Sequence, residues 1–510
     1  MTETERYWYE QIVKEILEVN ADVIFIIDNL AMSDFPGVKK ALLKKYSKII
    51  PYENEIKLRI LLKNEDNSII VKFIDEKNIP YQMLSIYVVI TLDTDILFPL
   101  LDRKVIAELS LNSYQAVYEH YIDDIQENEY ERLSEDKTRE FINQGLMMND
   151  STNINRIIEL RSQIEELLEQ QVSGITDWIG NCGRIGEAWG ELLFLVDSTD
   201  NEYSLEKLRE RMNNKFVNEV RNYYDDTIYG SNLPVQWNVI ERIRRDGSQK
   251  NAIICFDCMG FEEWNVLKEY LDDLEGIEFM VEHTLAIIPT ETNFSRTTIF
   301  SGIPPIKIPD TGLVNTVETR YEERLFKHAL GQYGISEHDI YYQRAASSDG
   351  LDIVFDSLRD YEWLGIVFTF MDTLSHNSLT SKSKLVRDIR EFLSRSNLYL
   401  FIQKLIDQGF RIFFVSDHGN IFARGNGVRA SKDLVNEKAR RFMIFDHREL
   451  ATEYETEKTE LLQFRNIIGN QWLLLETQSE MNDKLGQERI THGGISIEEV
   501  IVPFIKVMKK

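Results

Sequence analysis

Four short apolar runs in the C-terminal half of this chain each end on, or lead into, an aspartate or a histidine. NAIICFD closes on Asp257; GIVFTFM is followed by Asp372 and, four residues later, by His376; RIFFVS is followed by Asp417 and His418; His492 sits in THGG shortly before EEVIVPFI. Runs this short, bounded by polar or glycine residues, predict buried parallel strands. In an open α/β sheet the loops at the carboxyl ends of such strands converge on one crevice, so residues far apart in sequence are expected to share a site. Strand and helix signals alternate through residues 247–510, which predicts a doubly wound α/β domain there.

The rest of the chain has to be placed around that domain. Its 510 residues exceed what one core usually supports. Residues 1–110 mix helical patterns over 7–19 and 38–46 with the strand-like runs VIFIID, IKLRILL, SIIVKFI and SIYVVITL, predicting a small α/β domain. Asp28 ends one of these runs but has no histidine or second acid nearby, so a turn or cap role is expected. Residues 111–246 turn helical, with apolar spacing in INRIIELRSQIEELLEQ and GEAWGELLFLVD, and a bundle core accounts for their many tyrosines. No apolar stretch approaches the roughly 18 to 20 residues that span a bilayer, and MTETERYWYEQ has neither a basic region nor an apolar signal, so no membrane contact and a cytoplasmic location are expected.

Charge and cysteine content exclude some functions. A net charge of −27 argues against coating nucleic acid over a broad surface, since such binding needs lysine and arginine to neutralise phosphates. Two local basic segments stand out. Arg242, Arg244, Arg245 and Lys250 read as a solvated charged face, whereas Arg424, Arg429, Lys432, Lys438, Arg440 and Arg441 follow Asp417-His418 closely and read equally as part of a phosphate-binding groove. Three cysteines build no disulfide framework, and the Cys255-x-x-Cys258 pair has no second pair to complete a structural zinc site, so inert buried thiols are expected.

Aspartate and histidine without thiolate suit zinc, manganese, magnesium or a similar divalent ion and leave positions open for substrate. Two ions roughly 3.5 to 4 Å apart stabilise both the attacking and the leaving oxygen of a phosphoryl displacement. The spacing of Asp372 and His376 puts them on one face if the loop opens into a helix. A hydroxyl nucleophile would complete the site, and LAIIPTETNFSRTTIFSG offers Thr292 at a strand-to-helix junction, where free N–H groups and the helix dipole cradle a phosphate. Thr290, Ser295, Thr297 and Thr298 compete for that role, and Thr292 reads also as a helix N-cap. Arg296, one turn on, is placed to bind a substrate phosphate bidentately or to pair with a nearby acid. His283, close upstream of the Thr292 segment, reads as a packed histidine.

The segments FDCMGFEEW, IPTETNFSRTTIFSG, FMDTLSHN, VSDHGN and THGGISIEEVIVPF together resemble PglZ domains of the alkaline phosphatase superfamily, from about residue 250 to the end. The nucleotide pyrophosphatase branch of that superfamily carries a proline–threonine–x–threonine element with a glycine ten residues after the second threonine, which here are Thr292 and Gly302. The resemblance implies that Thr292 is the nucleophile, that Asp257, Thr292, Asp417 and His418 surround one metal, and that Asp372, His376 and His492 hold the other. IPYQMLSIYVVITLDTDILFPLLDRKVIAELS resembles the N-terminal part of PglZ proteins from BREX-type phage-defence loci. The implied activity is a metal-dependent phosphodiesterase or nuclease acting on nucleotides or nucleic acid through a phosphothreonine intermediate. The alternative is an assembly component of a defence complex that binds an ATPase or a DNA methyltransferase. A sugar-phosphate mutase would need a basic clamp that is not found.

Overall fold

Apolar runs become strands where the sheet can bury them, as seen in a computed structural model that describes residues 7–64, 68–109, 111–125, 132–197, 205–272, 274, 276–308, 319–350, 355–377, 381–430, 437–481 and 484–509. The chain divides into two units, 1–156 and 157–510.

In the first unit, β1 (Val23–Ile27), β2 (Lys48–Pro51), β3 (Ile69–Phe73) and β4 (Val88–Thr91) form a parallel sheet in the order β2-β3-β1-β4. IKLRILL, expected as a strand, lies in the helix Glu55–Asn64 instead. Parallel β2 and β3 need a crossover between them, and a helix supplies it. The helix buries Leu58 and leaves Ile56 and Ile60 exposed, the one-sided burial of a helical rather than a pleated period. Asp28 closes a turn as expected, its two carboxylate oxygens accepting from the Met32 and Ser33 N–H groups at 2.8 Å each. Trp8, Ile12, Val117, Tyr118 and Tyr121 share one core cluster, which gives these tyrosines the packing role expected of them.

The second unit contains β5 (Asn251–Phe256), β6 (Ile277–Leu285), β7 (Ile340–Ala345), β8 (Trp363–Phe368), β9 (Arg411–Ser416), β10 (Ile421–Gly425), β11 (Glu437–Lys438), β12 (Phe442–Phe445), β13 (Thr459–Leu462), β14 (Trp472–Glu476), β15 (Ser479–Glu480), β16 (Glu488–Thr491) and β17 (Ile501–Lys509). Its main sheet has the order β6-β17-β9-β5-β8-β7. Strands β9, β5, β8 and β7 are mutually parallel, as a doubly wound domain requires. Strand β17 is antiparallel to both β9 and β6, so the sheet is mixed. The reversal follows from sequence distance: β17 starts just after the THGG segment at the site end of the sheet and must run away from it. Every residue of β5 and β8 is buried, the mark of strands covered on both faces.

The expected boundaries at 110 and 246 fall inside the two units. The helices Ile175–Asp197 and Glu206–Tyr223 contribute Trp178, Trp189 and Phe216 to the cluster that also holds Phe256 of β5 and Phe414 of β9. An apolar core is continuous there, and fully burying each such aromatic contributes about 1.5–3 kcal/mol. Among the described residues, no helix is long and apolar enough to cross a membrane.

Candidate metal centre

The ends of β5, β8 and β9, the loop after β16 and the start of the helix Thr292–Ser301 bring seven of the eight singled-out side chains to one crevice with open coordination capacity. Asp257 follows β5, Asp417 and His418 follow β9, and His492 follows β16. Asp372 and His376 both lie on the helix Phe370–Asn377 that opens just after β8, so the four-residue spacing does place them on one face. Donor atoms of Asp257, Asp417 and His418 lie within 4.8 Å of one another, and so do those of Asp372, His376 and His492. The two groups adjoin: the His418 and His492 rings stack with centroids 4.0 Å apart.

Each histidine of this stack has its outer nitrogen engaged. His418 Nδ1 is 3.0 Å from the Gly419 carbonyl and His492 Nδ1 is 3.1 Å from the Thr290 carbonyl. A carbonyl oxygen only accepts, so each Nδ1 carries the proton and each Nε2 turns its lone pair into the crevice. Burial pushes both histidine pKa values down, with His418 adding to the effect at His492. Both are therefore held neutral, the form that binds metal.

The carboxylates have spare acceptors. Asp417 Oδ1 takes the N–H groups of Cys258 and His418, both at 3.0 Å. Asp417 Oδ2, Asp257 Oδ1 and Asp372 Oδ1 are buried and make no well-aligned hydrogen bond. An unsatisfied buried carboxylate oxygen is costly, and three of them facing bare imidazole nitrogens fit divalent cations. Burial and the neighbouring Asp257 push the Asp417 carboxyl up. Burial works in the same direction on Asp372, but the His376 Nε2 contact at 3.2 Å and, at the low pH where this carboxyl titrates, the protonated His492 and His376 rings outweigh it and hold its pKa at about 2. The same contact with Asp372 raises the His376 pKa.

Thr292 Oγ1 stands 2.9 Å from His418 Nε2. With the ring proton on Nδ1, the hydroxyl donates to Nε2 and its oxygen faces the first group. Glu291 takes the N-cap position and Thr292 is the first residue of the helix Thr292–Ser301, which ends at Gly302 with a left-handed φ of 67°. Two of the competing hydroxyls serve elsewhere: Thr290 Oγ1 accepts from Gly493 N at 2.9 Å and so holds the His492 loop, while Thr297 donates to backbone carbonyls of its own helix; Ser295 and Thr298 are wholly buried.

Of the two roles expected for Arg296, the structure gives the pairing with nearby acids and not the contact with a substrate phosphate. It is 4 % exposed and turned into the protein. Its Nη1 binds Asp257 Oδ2 and lies 3.9 Å from Asp417 Oδ2, and its Nε donates to Glu322 Oε1 at 3.1 Å. Without it, several buried carboxylates would have no counter-charge. The first basic segment is likewise committed, Arg242 to Glu282 at 2.6 Å and both Arg244 and Arg245 to Glu241 at 2.9 Å. Cys255 and Cys258 are free, and burial pushes both thiols up, leaving them inert as expected. His283 is packed in β6, its pKa lowered to about 4 by burial and by Arg242.

Supporting residues emerge that sequence reading missed. Glu322 is wholly buried on the helix Thr319–Gly331, where it accepts from Tyr342 Oη at 2.7 Å as well as from Arg296. An acid in line with buried Phe326 and Ala329 on a helical stripe was the available signal. Lys382 binds Glu262 at 2.9 Å, Glu263 at 2.7 Å and Asn420, whose amide donates to Cys258 O at 3.0 Å; this ties the Asp257 loop to the His418 loop. Arg441 is fully buried and pairs through Nε and Nη2 with Glu499, at 2.9 and 2.7 Å. Glu499 in turn accepts from Gly494 N at 2.8 Å. Gly419 is needed for close approach, because a Cβ there would lie 2.0 Å from the Glu498 carbonyl oxygen.

Several known proteins are similar to this chain. Among solved structures, murine ectonucleotide pyrophosphatase / phosphodiesterase 5 shares 12% identity at a TM-score of 0.36, covering 51% of this chain and 88% of that one. The human counterpart shares 12% at 0.37, with 51% and 87% covered. A phosphonoacetate hydrolase from Sinorhizobium meliloti 1021 shares 13% at 0.35, with 50% and 89% covered. Among curated proteins, none matches the sequence. Residues 236–507, more than half of the chain, match the BREX system PglZ alkaline phosphatase-like domain, and the chain belongs to that family.

Proposed function

We propose that this protein is a divalent-metal-dependent phosphoester hydrolase, a phosphodiesterase or nuclease acting on nucleotides or nucleic acid in phage defence, with Thr292 as nucleophile. The observation that carries the reading is the convergence of three unsatisfied carboxylate oxygens and two bare imidazole nitrogens on a crevice where Thr292 Oγ1 already stands 2.9 Å from His418 Nε2. Asp257, Asp417 and His418, with Thr292, would hold one ion, and Asp372, His376 and His492 the other. When bound, such ions lower hydroxyl pKa values and offset charge on phosphoryl oxygens.

The chain's own residues supply the rest. The start of the helix sets Thr292 Oγ1 2.9 Å from His418 Nε2, the atom that would bind the ion, so the nucleophilic oxygen would lie beside that ion rather than hydrogen-bond to the ring. The first N–H groups of the helix Thr292–Ser301 have no intrahelical partners and stabilise the equatorial oxygens of the displaced phosphoryl group. The Thr292 Oγ1–phosphorus bond forms as the bond to the leaving oxygen breaks, and water then hydrolyses the phosphothreonine. Because Arg296 is committed to Asp257 and Glu322, the first group offers, among the described residues, no guanidinium for a dianionic phosphate, which favours singly charged diesters over monoesters.

Elemental analysis of purified protein, combined with hydrolysis of a chromogenic monoester and a chromogenic diester in zinc or manganese, tests the reading. Metal-dependent diester cleavage that disappears in Thr292→Ala, at unchanged metal content, is expected. Full activity in that variant overturns the nucleophile, and bound metal with no turnover of either ester overturns the hydrolase in its isolated form.

A further inference from the structure

We propose that Arg440 is a substrate-binding residue at the edge of the second histidine-rich group, where its guanidinium takes a phosphate adjoining the scissile one, on a nucleoside polyphosphate or a nucleic-acid strand. The inference rests on the hydrolase reading above and names the class of substrate that the same site prefers.

The placement begins with Arg441. Its guanidinium is anchored inward on Glu499, and its Cβ and the Phe442 ring lie 3.7 and 3.5 Å from the position a Cβ on Gly493 would take. Segment 441–442 therefore packs against the residue that follows His492. The backbone of Arg440 is fixed in turn, its carbonyl accepting from Met481 N at 2.7 Å. Arg441 points into the protein while Arg440 is exposed. Arg440 immediately precedes this anchored pair, so its exposed side chain starts beside the loop that carries His492, and its charge also reaches His376.

Among the described residues the Arg440 side chain makes no hydrogen bond or ion pair, although its charge also reaches Glu480. Three other arginines at this end of the chain are occupied: Arg296 by Asp257 and Glu322, Arg441 by Glu499, and Arg424 by Glu488. An uncommitted guanidinium beside a carboxylate-rich crevice, in a chain of net charge −27, is suited to an incoming anion. Its planar fork matches phosphate oxygens, and charge-assisted bonds of this kind are stronger than neutral ones. With Thr292 beside the first group, the leaving oxygen of an in-line displacement lies toward the second. The phosphate that reaches Arg440 is then the one carried by the leaving group.

The test compares wild type, Arg440→Ala and Arg440→Lys, all as the full metal-loaded chain, on three substrates. Bis(p-nitrophenyl) phosphate has one phosphorus; ATP and a ten-residue oligothymidine each carry further phosphates. Arg440→Ala should lower kcat/KM for ATP, for the oligonucleotide or for both by roughly ten- to a hundredfold more than for the aryl diester. The loss should fall mainly in KM, with partial recovery in Arg440→Lys. A loss confined to ATP identifies a nucleotide substrate, and one confined to the oligonucleotide a strand. Equal changes on all three substrates overturn the proposal. Calorimetric binding of α,β-methylene-ATP separates this failure from failure of the hydrolase reading. If wild type cleaves nothing, weaker binding in Arg440→Ala still supports the role of Arg440, and equal binding overturns it.

Discussion

The two candidate metal groups are built on opposite terms. Asp257, Asp417 and His418 are buried, with two carboxylates close together and an internal counter-ion in Arg296. Asp372, His376 and His492 contain one carboxylate and two imidazoles, and the His376 side chain remains 46% exposed. Burial raises the Asp417 pKa in the first group, whereas histidine partners hold Asp372 at about 2 in the second. Low local dielectric makes an extra like charge expensive in the first group, and the more open second group is screened by water. On the proposed reading this difference is a division of labour, in which the first group would fix the nucleophile and the second would face the leaving group and what is attached to it.

Removing a second-group ligand should produce the largest effect. His492→Ala is expected to lower bound metal from two ions to one per chain and hydrolysis by on the order of a thousandfold or more, as when one member of a catalytic unit is lost. Elemental analysis and single-turnover kinetics check it, and two ions retained would break the division into groups. Arg296→Met follows. Without metal it leaves buried carboxylates uncompensated and should cost about 3–5 kcal/mol. Arg440→Met, at an exposed position in the second group, should change stability by under about 0.5 kcal/mol. Urea unfolding of both variants, with and without zinc, measures the contrast, which equal losses would erase.

The acid responses should differ in sign. In metal-free protein the folded pKa of Asp372 lies below its unfolded value. Its stabilisation is therefore fully present above about pH 4 and fades as pH falls through about 2. Asp372→Asn should lower stability at pH 7 by about 2 kcal/mol and flatten the acid limb. Asp417 is raised instead, so its contribution weakens as pH rises from about 4 through the folded value. Asp417→Asn should therefore stabilise the metal-free protein at pH 7 while impairing metal uptake. Stability midpoints across pH 2–8 for the two variants decide this, and shifts of the same sign would count against the contrast.

The strand-end positions were legible because periodicity and polar punctuation mark them directly. Asp257, Asp372, Asp417 and His418 each close or follow an apolar run, His492 shortly precedes one, and the Asp372–His376 spacing already implied a shared helical face. Local pattern failed where tertiary contacts decide. IKLRILL has the apolar content of a strand, but it lies between parallel partners and forms the crossover helix. Arg296 looked available for phosphate from its spacing to Thr292. Its actual partner Glu322 arrives from another helix, 26 residues on. The helices between 175 and 245 read as a separate bundle because sequence shows their apolar stripes but not the sheet those stripes pack against.

The sequence by itself determined the α/β character of residues 247–510, the order of the acids and histidines along it, and the hydroxyl at a helix start. Those features are local, written in the spacing of apolar and polar residues. Only the tertiary structure decided which residues divide into which group, which imidazole nitrogen faces the crevice, that Arg296 balances buried charge, and that Arg440 remains outside. Each of these depends on distances of a few ångströms between segments far apart in the chain, and electrostatics in a buried site is decided at that range.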